Sequence, residues 1–106
     1  MRTYVITGGT TGIGACVKQQ LEQQGHRVYN VDYKGGDFCA DLSQKEGRQA
    51  ALEAIHKEFP EGLDGIICNA GVGPVRLAEM IIALNFFASV EMAEGVRDLL
   101  IKKGGC

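Results

Sequence analysis

The chain has 106 residues, of which 45% are apolar and 23% charged, with a formal net charge of -2. That length supports one core, and a domain of this size buries roughly 65% of the surface its unfolded chain exposes, leaving little stability in reserve for a monomer. Eleven basic and thirteen acidic residues are spread evenly, so the basic cluster interleaved with aromatics that a nucleic-acid surface needs is missing. The most apolar stretch, residues 80–90, is interrupted by Asn85 and Ser89 and is too short to span a bilayer. No N-terminal apolar segment has the length of a secretory signal, which points to the cytoplasm. Fifteen glycines are the one outlier, about twice the usual share. With two prolines, two serines and no charge block, they indicate unusual turns rather than disorder.

Cys16, Cys39, Cys68 and Cys106 include no CxxC pair, and His26 and His56 share no metal-ligand spacing with them. No metal site is expected. Cys16, Cys39 and Cys68 fall on apolar faces and are expected to be small core residues, leaving Cys106 as the thiol able to react.

In chain order, residues 3–7 read as a β-rich run, followed by the glycine turn Gly8-Gly9-Thr10-Thr11-Gly12-Ile13-Gly14 and a helix with apolar residues at Ile13, Val17 and Leu21. Gly25 suits the left-handed residue that ends that helix, and residues 27–32 form the second strand. Gly35 and Gly36 turn the chain into a short third strand over 37–40. Ser43-Gln44-Lys45-Glu46 reads as a capping box opening a helix to about Phe59, which Pro60 and Gly62 stop. Residues 63–68 make a fourth strand ending in Asn69-Ala70-Gly71, and one long helix then runs from near Leu77 to about Lys102. Strands alternating with helices imply an α/β fold: a truncated Rossmann-type doubly wound parallel sheet of about four strands, order 3-2-1-4. Residues 1–102 form this unit and 103–106 a flexible tail.

A glycine turn between strand and helix lets backbone N–H groups approach a diphosphate, with the helix dipole adding to the attraction. Asp32 ends the second strand 18 residues beyond Gly14, where a carboxylate accepts both ribose hydroxyls of an adenosine and repels a 2′-phosphate. NADP is therefore disfavoured; Thr11 offers no charge to reverse that preference, and Lys34 is a weak candidate to do so. No Gly-Lys-Ser/Thr follows, which excludes a P-loop.

Thr7-Gly8-x-x-x-Gly12-Ile13-Gly14, then Asp32, Asp41-Leu42, Asn69-Ala70-Gly71 and Asn85 resemble, in order and spacing, the N-terminal half of the short-chain dehydrogenase/reductase family. The resemblance covers the whole chain. The Ala-Asp-Leu-Ser and Ala-Gly-Val-Gly-Pro stretches liken it most to the bacterial 3α-hydroxysteroid dehydrogenase/carbonyl reductases. The resemblance implies that Gly8, Gly12, Ile13 and Gly14 hold a pyrophosphate, Asp32 the adenosine ribose, and Asp41 and Leu42 the adenine. Thr10, Thr11, Tyr33 and Ala40 complete the expected cofactor set, with Asn69, Ala70 and Gly71 stabilising the sheet beside it. Cys68 stands where the family often has asparagine.

The family's serine, Tyr-x-x-x-Lys pair and helical asparagine supply the proton that reduction of a carbonyl requires. Only the asparagine has a match, Asn85, which reads either as catalytic or as a satisfied amide on an apolar helix. Tyr4, Tyr29 and Tyr33 are followed four places on by Gly8, Tyr33 and Asp37. With the catalytic residues falling beyond the last residue, ordinary ketone reduction by one subunit is not expected. An ADP half-site takes either NAD(H), as the resemblance implies, or FAD, whose reduced flavin needs no such proton relay. A non-catalytic nucleotide-sensing module and a fragment needing a separate catalytic half are the alternatives. The fourth strand would be an exposed apolar edge, and the last helix is apolar around nearly its whole circumference. A homodimer packed through residues 77–102, the 65–68 strand, or both is expected.

Overall fold

Alternation of side chains and β-branched residues make Thr3–Thr7 the first strand, β1. The computed structural model describes residues 1–71 and 78–104. After β1 come α1 (Gly12–Gln23), β2 (Arg27–Asp32), β3 (Phe38–Cys39), α2 (Lys45–Glu58) and β4 (Gly65–Cys68). The chain ends in α3 (Ala78–Ile82), a π-helical turn (Ala83–Phe87), α4 (Ala88–Gly95) and α5 (Arg97–Lys103). The strands form one sheet in the order β3-β2-β1-β4, and every pairing is parallel. This is the Rossmann-type order read from the sequence. The chain steps outward from β1 to β3, then crosses through α2 to the other side of β1. The reversal of strand order therefore falls between β1 and β4.

Side chains alternate across each strand, so the two faces are built separately. Val5 and Val31 join Ala51 and Ile55 of α2, Leu63, Met92 of α4 and Leu99 of α5 in one core cluster. Ile6 and Val28 are equally buried but lie outside that cluster, on the face where α1 rests against β1 and β2. Tyr29 meets the Phe59 ring edge-on at 5.3 Å, and the Arg27 guanidinium lies 4.7 Å from that ring.

Several local expectations change. β3 pairs through Val31↔Phe38 and Asp32↔Cys39 alone, although Asp37 N–H to Asn30 O (2.8 Å) and Ala40 N–H to Asp32 O (2.9 Å) carry the contact across residues 37–40. The capping box does not form: Gln44 is the N-cap of α2 and no side chain caps it. Asp41 has captured Ser43 instead, with Oδ1 accepting from the Ser43 N–H (3.0 Å) and Oγ–H (2.6 Å). The single long helix is broken at Val96 (φ -105, ψ 7), after Gly95, where Leu52 side-chain atoms occupy the space a Cβ would need. Lys103 is still helical and Gly104 (φ 65) caps α5. Leu77, Gly73 and Cys106 lie outside the described residues.

Cys16, Cys39 and Cys68 are exposed rather than core. Cys39 and Cys68 sit on the two edge strands, and Cys16 on the outer side of α1. Exposed apolar side chains gather instead on the last helical stretch, where Ile82 is 54% exposed, Phe86 58%, Phe87 48% and Val90 39%. β4 ends the sheet, and no strand among the described residues pairs with its outer edge. No helix among the described residues is long and apolar enough to cross a membrane.

Candidate functional site: a cleft at the strand ends

The C-terminal ends of β1, β2 and β4 open onto one cleft of about 230 Å³. Gly8 leaves β1 at φ 72, its N–H on the Val31 carbonyl at 2.9 Å. A Cβ there would lie 2.9 Å from Ala70 Cα, so only glycine lets the ends of β1 and β4 come together. A Cβ on Gly14 would stand 2.3 Å from the Gly8 carbonyl oxygen, which is why α1 can pack its first turn directly on the glycine loop. Thr11 is the N-cap of α1 and no side chain caps the helix. Its first intrahelical bond is Ala15 N–H to Thr11 O, 3.3 Å. The N–H groups of Gly12, Ile13 and Gly14 thus have no helical partner, and the positive end of the helix dipole coincides with them.

The walls are built from both sides. Asp32 is half-buried at the end of β2, its Oδ2 accepting from Thr10 N–H (3.2 Å) and its Oδ1 from Tyr33 N–H (2.7 Å). Lys34 Nζ lies 5.5 Å from the Tyr33 ring centroid. Asp41 and Leu42 line the opposite wall. Buried Arg48 donates from Nη1 to the Leu42 carbonyl (3.1 Å). Its Nε lies 2.9 Å from the Glu91 carboxylate, an ion-pair contact rather than a well-directed hydrogen bond. On the β4 side, Asn69 Nδ2 donates to Gly8 O (3.0 Å). The Asn69 and Ala70 N–H groups both donate to the buried Thr7 hydroxyl, at 3.1 and 3.0 Å. The neighbouring Cys68 is exposed as a residue, yet desolvation of its thiol pushes it above its ordinary value.

Of the residues singled out from sequence, Gly8, Thr11, Asp32, Tyr33, Asp41 and Leu42 line the cleft together with Asn69, Ala70 and Gly71. Gly12, Ile13, Gly14 and Ala40 are not among the lining residues: Gly12 and Ile13 are exposed at the start of α1, and Gly14 and Ala40 are buried. Thr10 faces a second hollow, shared with Gly9, Lys18 and Asn30. Asn85 is exposed in the π-helical turn, and a Cβ on Gly71 would lie 2.9 Å from its Oδ1. It therefore sits at the rim, with Leu84 of the same turn inside. A fixed carboxylate, uncapped helix N–H groups and apolar walls from Val31, Leu42 and Leu84 fit an adenosine diphosphate. Among the described residues no group of three or more His, Cys, Asp or Glu could hold a metal ion.

The sequence model of the short chain dehydrogenase family matches residues 2–106. The chain belongs to that family. It is 34% identical over 105 residues to 3-alpha-hydroxysteroid dehydrogenase/carbonyl reductase from Comamonas testosteroni, covering 98% of this chain and 40% of that protein. The 3-alpha-hydroxysteroid dehydrogenase from Pseudomonas sp. B-0831, solved with NADH, superposes with a TM-score of 0.91 at 35% identity over 94% of this chain and 40% of that one. L-sorbose reductase from Gluconobacter frateurii, solved with NADPH and L-sorbose, shares the fold at 21% identity, with a TM-score of 0.82 over 97% and 49% of the two chains. The chain thus spans about 40% of the length of its more similar relatives.

Three residues of this site, Val31, Leu84 and Asn30, were not singled out from sequence, and of a fourth, Thr7, the motif gave the place but not the role. Val31 and Leu84 are apolar and carry no signal separating a cleft wall from a core position. Thr7 begins the glycine motif, yet its hydroxyl acts across the sheet on Asn69 and Ala70. Asn30 was visible as an asparagine inside a strand, where its type is disfavoured.

Proposed function

We propose that this chain forms the adenine-dinucleotide cleft of an oxidoreductase of the short-chain dehydrogenase/reductase family and that its dinucleotide is NAD(H). The observation that carries the reading is the half-buried Asp32 carboxylate, held by the Thr10 and Tyr33 amides beside the uncapped start of α1. The NADH complex of the Pseudomonas relative supports the choice of nicotinamide dinucleotide. A carboxylate at that point accepts ribose hydroxyls and repels a 2′-phosphate, which favours NAD(H) over NADP(H).

When bound, the dinucleotide would supply a hydride in its reduced form and accept one in its oxidised form. The residues of this chain would bind and orient it: α1 and the glycine turn at the diphosphate, Asp32 at the ribose, Asp41 and Leu42 at the base. Asn85 lies at the rim, and no tyrosine among the 106 residues has a lysine four places on. The proposal therefore gives this stretch cofactor binding and no proton donor for a carbonyl.

Calorimetric titration with NAD, NADH, NADP, FAD and ADP tests the reading. Micromolar binding of NAD(H) and ADP with weaker NADP is expected. A yellow protein or preferential FAD binding would replace the nicotinamide by a flavin. Binding of no adenine nucleotide up to millimolar concentration would remove the reading. A second copy of the chain, packed on the exposed apolar side chains of residues 82–90, on the β4 edge, or on both, is proposed as its partner.

A further inference from the structure

We infer that Asn30 is a positioning residue that holds the glycine turn and, through Thr10, the ribose carboxylate of Asp32. The inference rests on the dinucleotide reading above. Asn30 is 2% exposed and its side chain reaches two adjacent residues of the turn. Oδ1 accepts the Gly9 N–H at 2.8 Å and Nδ2 donates to Thr10 Oγ1 at 3.1 Å. The orientation of the amide is fixed, because the Gly9 N–H requires an acceptor and the hydroxyl can serve the NH₂. Both glycines around it make room: a Cβ on Gly9 would lie 2.7 Å from Oδ1, and one on Gly36 would lie 2.9 Å from Nδ2.

The link runs on to the cleft. Thr10, pinned by its hydroxyl, presents its own N–H to Asp32 Oδ2 at 3.2 Å. Asn30 and Asp32, two residues apart on β2, share the sheet face of Ile6, so a cleft residue is held through the loop by a neighbour on its own side of the sheet. Because Gly9 gives its N–H to Asn30, the N–H groups left for a diphosphate are those of the α1 start. The backbone of Asn30 separately anchors the next turn, its N–H to Asp37 Oδ2 (2.7 Å) and its carbonyl to Asp37 N–H (2.8 Å). Those two bonds survive a change of side chain, so substitution isolates the tether to the glycine turn.

Ribose hydrogen bonds depend on the orientation of the carboxylate, whereas its repulsion of a 2′-phosphate depends mainly on distance. Loosening the tether therefore lowers ADP affinity more than it changes the affinity for adenosine 2′,5′-bisphosphate. Calorimetry with these two probes on wild type, Asn30→Ala, Thr10→Val and the double variant tests this. Expected are at least tenfold weaker ADP binding and a smaller ADP preference in Asn30→Ala. A smaller shift in the same sense is expected for Thr10→Val, at an exposed position that tolerates the change. The double variant should be no worse than Asn30→Ala, since both remove one link. Amide hydrogen exchange at Gly9 and Thr10 should accelerate in Asn30→Ala. If the folded variants keep wild-type affinity and preference, Asn30 is merely structural and the inference is overturned. Should Asn30→Ala fail to fold, wild-type behaviour of Thr10→Val overturns it alone. If wild type binds neither probe, the dinucleotide reading fails first and the inference falls with it.

Discussion

Asp32 and Gly14 show how closely single residues set this cleft. Two backbone N–H groups occupy one lone pair on each Asp32 oxygen, leaving the carboxylate oriented with acceptor capacity to spare for a ribose. Hydrogen bonds to a charged group contribute about 1.5–3 kcal/mol each. Asp32→Ala is therefore expected to weaken ADP and NAD(H) by at least about tenfold, as read by calorimetry; unchanged affinity would refute the ribose assignment. Gly14 is a packing case. The Gly8 carbonyl at 2.3 Å and Asn69 Nδ2 at 2.4 Å from its virtual Cβ leave no room for a methyl group, and neither is the end of a flexible chain. Gly14→Ala should cost about 1–3 kcal/mol, the usual range for overpacking, as a lower urea midpoint; a midpoint equal to wild type would contradict the packing.

At the scale of elements, α2 and α5 meet through His56 and Asp98. His56 Nδ1 lies 2.8 Å from the Leu52 carbonyl and Nε2 lies 3.0 and 3.1 Å from the Asp98 oxygens. Both ring nitrogens face acceptors, so the imidazolium suits the site better than the neutral ring. The Leu52 carbonyl foremost, with Asp98 adding, raises His56 above its ordinary 6.5 against desolvation and Lys102, while the bond from His56 lowers Asp98 below 3.8. A raised histidine stabilises fully below 6.5 and loses that contribution as pH rises through its folded value; a lowered carboxylate contributes fully above 3.8 and loses it as pH falls. The link is thus strongest between those two values. His56→Gln should remove part of the fall in urea midpoint between about pH 6 and pH 8, and an unaltered slope would show that the pair contributes nothing. The start of α2 offers an opposite change. Gln44 has the extended backbone of an N-cap (φ -107, ψ 143) without a capping bond, so Gln44→Asp should stabilise by about 0.5–1 kcal/mol, read as a higher midpoint. Order and type of the elements were legible in the sequence because period and glycine placement report them directly. The capping box was not, because Ser43 had a competitor two residues away in Asp41, and local pattern does not rank competing acceptors. The break at Val96 was hidden for a similar reason: Gly95 acts through Leu52 of another helix. In the site, the charged and glycine positions could be read, whereas Asn30 and Thr7 act through partners at least twenty residues distant.

At the scale of the sheet, a two-residue strand ends it on the β3 side, and among the described residues no strand pairs with the outer edge of β4. A short edge strand offers little to pair with, but the four residues of β4 present an outer edge with no partner strand among the described residues. Beside it, Phe86 and Phe87 stack edge-to-face at 5.2 Å while each remains about half exposed. Their burial in a second copy would be favourable by the ordinary apolar transfer term, and scattered single side chains would not produce such a continuous patch. The two surfaces adjoin, since Cys68 at the end of β4 approaches the Ser89 carbonyl at 3.6 Å, so one partner can cover both. Sedimentation velocity at micromolar concentration should therefore show a dimer. Phe86→Glu combined with Phe87→Glu should shift it to monomer without lowering ADP affinity, because neither side chain lines the cleft. A wild-type protein that sediments as a clean monomer would sink the dimer and leave the cleft untouched. A dimer that survives the double substitution would move the interface to the β4 edge, where Ile67→Lys would be the variant to dissociate it.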